Sequence, residues 1–352
     1  MFREPTVFIV GAGASAEADL PVGETLKQQI KLLTPVRNSN FIETLESGDA
    51  LIFDALKIAS RPPGSALDAE SFERRLAAAR RVATALPLAG SIDSLLESYA
   101  DDADMRLFGK LAIARTILAA ESKSRLIKYG SQEGRLKDEL RIEDTWYPKL
   151  ARMIFDGRRP SDGPAIFNNV SVICFNYDRC IESFFFNALR RYFSMDASAA
   201  RTAMCGLKIV HPYGKVGDLA WQSNARGAVN FGAEPSADQL LSISSQIRIY
   251  TEQSNDTTIA TEITRIIASS TRAVFLGFGF HQQNLDLLRP KNGSRIFSVV
   301  MTSLGISSFD IEMAKSLAGN CVNLKNGYPN VSAPQGIGCK ELFNALGLTL
   351  KN

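Results

Sequence analysis

The chain has 352 residues, of which 45% are apolar and 22% charged, with a formal charge of +3. That length exceeds what one hydrophobic core usually organises, so one large domain with a sizeable insertion, or two domains, is expected. The scattered charge offers no basic stripe for direct nucleic-acid binding, and no apolar run reaches the roughly 18–20 residues of a membrane span.

The first apolar run, "VFIV" (7–10), is too short for a signal-peptide core and reads as a strand. It breaks into "GAGASAEADLPVG" (11–23). Gly11 permits a tight turn, Gly13 lets the backbone approach a pyrophosphate, and the helix start behind them suits an anion. Ala12 and Ala14 complete the turn, and Ser15 is placed to cap the helix or donate to phosphate. A glycine turn of this kind can also be purely structural. Ala16 stands where the dinucleotide fingerprint has its third glycine, and "LKQQIKLLTPVR" (26–37) ends no second strand on an acid. Both points argue against a hydride-transferring dehydrogenase.

Residues 35–165 read as a helical insertion. "SFERRLAAARRVATAL" (71–86) and "MRLFGKLAIARTILAAESKSRLI" (105–127) carry apolar residues at helical spacing with basic residues between. Those basic residues are expected on a solvated helix face, with a partner surface as the alternative. "SRPPGSALD" (60–68) and "RRPSDGPA" (158–165) are loops by their Pro and Gly content.

Strand-like runs recur at 170–175, 207–210, 272–277, 296–301 and 320–324, besides 6–10. They are continuously apolar, as strands buried on both faces are. Helical patterns at 177–192, 236–250, 257–269 and 306–318 separate them. The expected fold is α/β: a Rossmann-like doubly wound parallel sheet from 1–34 and 166–352, with the helical insertion between.

Four places carry candidate chemistry. In "FNYDRCIESF" (175–184), Asn176 follows a strand end, where ligands lie in open α/β sheets, and can bind ribose hydroxyls or a water. Asp178 can bind the ligand or cap the next helix. His211, in "KIVHPYGKVGD" (208–218), ends a short strand and suits a general base, though a lone histidine is more often packed or at the surface. Gly277 and Gly279 close a strand in "FLGFGFHQQNLDLL" (275–288), where backbone can approach a ligand, and Asn284 follows on a helix. Phe278 or Phe280 is a candidate to stack on adenine, and His281 reads as a loop residue at a helix start. Only His211 and His281 are available for histidine chemistry. Five cysteines without a CxxC pair argue against a zinc ribbon or a disulfide framework and predict a reducing cytoplasm.

Taken in order, "GAGASAEADLP", "SIDSLL" (91–96), "FNYDRCIE", "HPYGKVGD" and "FLGFGFHQQNLDLL" resemble the sirtuin-like superfamily, in its prokaryotic NAD-hydrolase branch. The resemblance implies NAD as substrate, Asn176 and His211 as the catalytic pair, and Gly11, Gly13 and Ser15 as the diphosphate cradle. Asp93 matches the family's "SID" acid. The family's His precedes Gly directly, whereas Pro212 and Tyr213 intervene before Gly214 in this chain. Deacylating sirtuins carry a four-cysteine zinc module after the His, and only Cys321 and Cys339 lie beyond His211. The resemblance therefore implies NAD glycohydrolysis without a metal, in an anti-phage effector silenced by homo-oligomerisation or by a partner such as a ring-forming ATPase or an Argonaute-like protein. The alternatives are a non-catalytic NAD or ADP-ribose sensor and an NAD-dependent deacylase or ADP-ribosyltransferase.

Overall fold

A computed structural model describes residues 2–38, 44–127, 142–223, 227–254, 257–290, 293–322 and 328–351. In chain order these form β1 (Thr6–Val10), α1 (Ala12–Ala16), α2 (Gly23–Leu32), β2 (Val36–Arg37), β3 (Leu45–Ser47), α3 (Ala50–Ala59), α4 (Ala69–Ala85), α5 (Ile92–Ser98), α6 (Ala103–Glu121) and α7 (Trp146–Phe155). There follow β4 (Val170–Cys174), α8 (Cys180–Tyr192), α9 (Ala197–Met204), β5 (Lys208–Val210), α10 (Ala237–Ser244), α11 (Tyr250–Ser254) and α12 (Thr257–Ser269). The last elements are β6 (Arg272–Leu276), α13 (Gln282–Leu288), β7 (Ser298–Met301), α14 (Ile311–Cys321), β8 (Asn330–Ser332) and α15 (Cys339–Lys351).

Six strands make one parallel sheet in the order β5-β4-β1-β6-β7-β8. This is the Rossmann order, in which the chain runs outward from β1 to one edge and then returns to build the other half. The strand order reverses between β1 and β6, whose register pairs Thr6 with Arg272 and Val10 with Leu276. A crevice for a ligand opens at the carboxyl ends of strands on either side of such a point.

Both faces of the sheet are covered, which is why its strands read as unbroken apolar runs. Val7 and Ile9 point into one core with Phe275, Val299 and the helices α3 to α6. Phe8 and Val10 point into the other, with Val172, Leu276 and residues of α7, α8 and α15. The segment between α2 and β4 thus divides, α3 to α6 packing on one face and α7 on the other. Helices α3 to α6 start on side-chain caps: Asp49, Asp68 and Asp102 each accept a backbone N–H three residues on, and Ser91 forms a capping box with Ser94.

Two expectations change. The run at 320–324 is not the sixth strand: Cys321 ends α14, residues 323–324 lie outside the described residues, and the edge strand is Asn330–Ser332. The solvated-face expectation holds only in part: Arg80 and Lys123 are exposed, while others are paired. Arg106 and Lys110 meet Glu252 at 3.1 and 2.5 Å, and Arg115 meets Asp49 at 2.8 Å and Glu234 at 2.9 Å.

Candidate nucleotide-binding site

The glycine turn after β1 lies against the loop after β6, backbone on backbone. Gly11 N–H donates to Leu276 O at 2.9 Å and Gly13 N–H to Gly277 O at 3.0 Å. A Cβ on Gly11 would sit 2.6 Å from Gly277 O, and one on Gly13 would sit 2.9 Å from Gly277 Cα. Gly277 is in the left-handed region at φ 55° and donates its N–H to Thr302 Oγ1 at 2.8 Å. Glycine is therefore required at these positions first to let the two loops touch at the switch point.

Asn176 is fixed from both sides. Its Nδ2 donates to Gly11 O at 3.0 Å and to Ser15 Oγ at 2.8 Å, and Ser15 Oγ donates onward to Asp178 Oδ2 at 2.6 Å. Asp178 Oδ1 accepts the N–H of Cys180 at 3.0 Å, holding the start of α8. Ser15 accordingly spends its proton inside the protein rather than on a phosphate. Asp178 stands one position before the N-cap, Arg179, and takes the first N–H of the helix. Both donor hydrogens of Asn176 are used, and its Oδ1 has no protein partner among the described residues.

These residues line a cavity of about 430 Å³, within the range of small-molecule sites. Gly11, Ala12, Gly13, Ser15, Asn176, Asp178, Gly277, Gly279 and Asn284 all border it; Ala14 is buried beneath. Asp93, in the first turn of α5, also borders it. Its carboxylate accepts the phenol proton of Tyr177, and burial raises its pKa, partly offset by that bond and by His281 nearby. Burial and the adjacent Asp93 in turn hold the Tyr177 phenol well above its ordinary value, so it stays a donor. Phe278 closes the apolar end edge-on against Phe175 (ring centroids 5.2 Å apart), while Phe280 stacks on Phe275 (5.7 Å) and does not border the cavity. His281 precedes α13 and also borders the cavity.

His211 touches Asn176 from behind. Its Nδ1 lies 3.0 Å from the main-chain oxygen of Asn176, and its Nε2 lies 3.1 Å from Glu182 Oε1. Both neighbours are acceptors, so each ring nitrogen carries a proton. Burial opposes that charge, but Cys174 and Glu182 beside the ring outweigh it and hold the imidazole well above its usual 6.5. Glu182 is likewise buried, yet His211 and Lys215 hold it at about 2. The ring borders a different cavity from Asn176, and the side chain that follows it into the Asn176 cavity is Tyr213. Tyr213 donates to Asn284 Oδ1 at 2.7 Å. Gly214 then turns at φ 72°, where a Cβ would meet Gln246 O at 1.9 Å.

No family model matches the chain, and comparison with curated proteins finds no match.

Sequence reasoning missed Tyr177, Tyr213, Glu182 and Thr302. Tyr213 had a usable signal, since it directly precedes the turn glycine. Glu182 and Thr302 had none, because only the folded chain brings them to His211 and Gly277. A buried pair also shapes the region: Arg179 and Glu121 are both fully buried and bonded, and Arg179 also donates to Val229 O at 2.8 Å and Asp218 O at 3.2 Å. It ties the segment after β5 to α6.

Proposed function

We propose that the cavity binds NAD and that the protein is an NAD glycohydrolase, cleaving the bond between nicotinamide and ribose to give nicotinamide and ADP-ribose. The observation that carries this reading is the unspent Oδ1 of Asn176, rigidly aimed by two donated hydrogen bonds at the switch point of a Rossmann sheet. A fixed acceptor there suits a ribose hydroxyl or an attacking water.

The bond breaks with positive charge growing on the ribose, as in other glycoside cleavages. Nicotinamide leaves with the bonding pair, water adds to C1′, and one proton is released. Asn176 orients the ribose or the water. Asp93, whose burial makes its carboxylate more basic, takes the proton, and Tyr177 steadies it. His211, with both nitrogens occupied, serves to position Asn176. The glycine turn and Gly277 bring backbone close to the diphosphate. The same proposal includes a cytoplasmic protein whose activity is restrained by self-assembly or by a partner protein.

A second reading, a non-catalytic NAD or ADP-ribose sensor, is favoured by one specific observation: from the loop after β5 it is Tyr213, and not His211, that borders the cavity. Nicotinamide release from NAD by the wild-type chain and by Asn176→Ala separates the two. Saturable NAD binding without nicotinamide release, under every assembly condition tried, rejects the hydrolase and leaves the sensor.

A further inference from the structure

Of the two histidines, His211 has both ring nitrogens engaged, by the Asn176 main-chain oxygen at 3.0 Å and by Glu182 Oε1 at 3.1 Å. His281 instead borders the Asn176 cavity, beside Gly279 and Asn284. It is exposed, and among the described residues no hydrogen bond engages either of its ring nitrogens. Its place is set by its neighbours. Phe280, directly before it, holds φ at 50° and stacks on Phe275, with ring centroids 5.7 Å apart. A left-handed backbone costs a bulky residue about 1–3 kcal/mol, and such strain collects at functional sites. The imidazole then lies over the bare side of Gly279, where a Cβ would meet its Cδ2 and Nε2, both at 3.2 Å.

Asp93 borders the same cavity and is half-buried. Other titratable groups there are already engaged. Tyr177 donates to Asp93 itself, Tyr213 donates to Asn284 Oδ1 at 2.7 Å, and Asp178 is held by Ser15 Oγ at 2.6 Å and the Cys180 N–H at 3.0 Å. His281 lies near enough for its charge to steady the Asp93 carboxylate. A carboxylate that takes a proton in each turnover must lose it before the next. An imidazole is the side chain that both accepts and releases a proton near neutrality.

We propose that His281 is the proton-relay partner of Asp93, accepting the proton that Asp93 takes from the attacking water and releasing it to solvent. The role rests on the glycohydrolase reading. Its proton balance closes. The bond from C1′ to nicotinamide breaks with its electron pair on nicotinamide, and the water oxygen joins C1′. The water proton passes to the Asp93 carboxylate, then to a ring nitrogen of His281, then to bulk water, and both side chains return to their starting forms. His281 thus acts through Asp93 rather than on a reacting atom.

Nicotinamide release by the full chain tests the relay. His281→Ala is expected to lower kcat by about 10²-fold with KM little changed, the usual scale of acid–base assistance. Added imidazole is expected to recover much of that loss in proportion to its concentration, which it does not do for a side chain that only packs. His281→Ala combined with Asp93→Asn is expected to be no slower than Asp93→Asn alone, since groups that act as a unit are not additive. Undiminished release by His281→Ala, a loss that imidazole does not repair, or losses that multiply in the double variant each overturn the relay and leave the glycohydrolase standing. A wild type that releases no nicotinamide under every assembly condition tried overturns both.

Discussion

The imidazole of His211 holds the main-chain carbonyl of Asn176 at 3.0 Å while its other nitrogen rests on Glu182. This makes the position of Asn176 depend on a charged pair and therefore on pH. Raised above 6.5, His211 contributes stability that is whole below about pH 6.5 and lost as the pH climbs through its folded value. Glu182, lowered from 4.5 to about 2, contributes above pH 4.5 and loses that contribution as the pH falls towards 2. The melting temperature of the wild type should be best supported between those limits and decline on the alkaline side. His211→Gln should flatten that alkaline decline. An identical decline in the variant would remove the pair from this role.

Asn176→Ala should reduce nicotinamide release by about 10²–10³-fold, the usual effect of deleting one fixed polar group from a reacting centre. It also takes the donor from Ser15 Oγ and one of the two donors, with the Ala14 N–H, from Gly11 O, at a cost of about 1–3 kcal/mol. Release assays and urea unfolding on the same preparation separate the two effects. Undiminished release would exclude Asn176 from the chemistry.

Tyr177→Phe removes the hydrogen bond that lowers the Asp93 pKa, so that carboxyl should titrate higher. The acid limb of the pH–rate profile should then move towards higher pH, with kcat at the plateau less affected. An unmoved limb would mean that Asp93 does not set it.

Gly277→Ala places a Cβ 2.1 Å from Ala14 N on a residue at φ 55°. The conformation alone costs about 1–3 kcal/mol, before the clash is counted. Thermal unfolding should show a clear loss, accompanied by weaker NAD binding because the glycine turn is displaced.

Glu121→Ala strands the Arg179 guanidinium in a fully buried position and should cost about 3–5 kcal/mol. Replacing both residues by apolar ones of similar size should recover much of that loss. The urea midpoints of the single and double variants test this directly.

Much of the fold was legible because strands buried on both faces leave unbroken apolar runs: Thr6–Val10, Val170–Cys174 and Arg272–Leu276 stand within a residue of where the sequence put them. Asn330–Ser332 was not, because an edge strand pairs on one side only and its residues are half-buried or exposed. At the site, the glycine turn and Asn176 were legible from strand-end position alone. The direction of the His211 ring was not. A histidine after a short strand reads the same whether it faces solvent, a substrate or, as in this chain, a glutamate 29 positions away.

The central strand has a consequence for synthesis. β1 finds its neighbours only in β4 and β6, and Asn176 reaches back 165 residues to Gly11. At ordinary translation speeds of about 5–20 residues per second, tens of seconds pass between the emergence of the glycine turn and that of Gly277. The crevice cannot close in that interval, and a prematurely terminated chain lacking β6 would have neither Leu276 nor Gly277 to accept the N–H groups of the glycine turn.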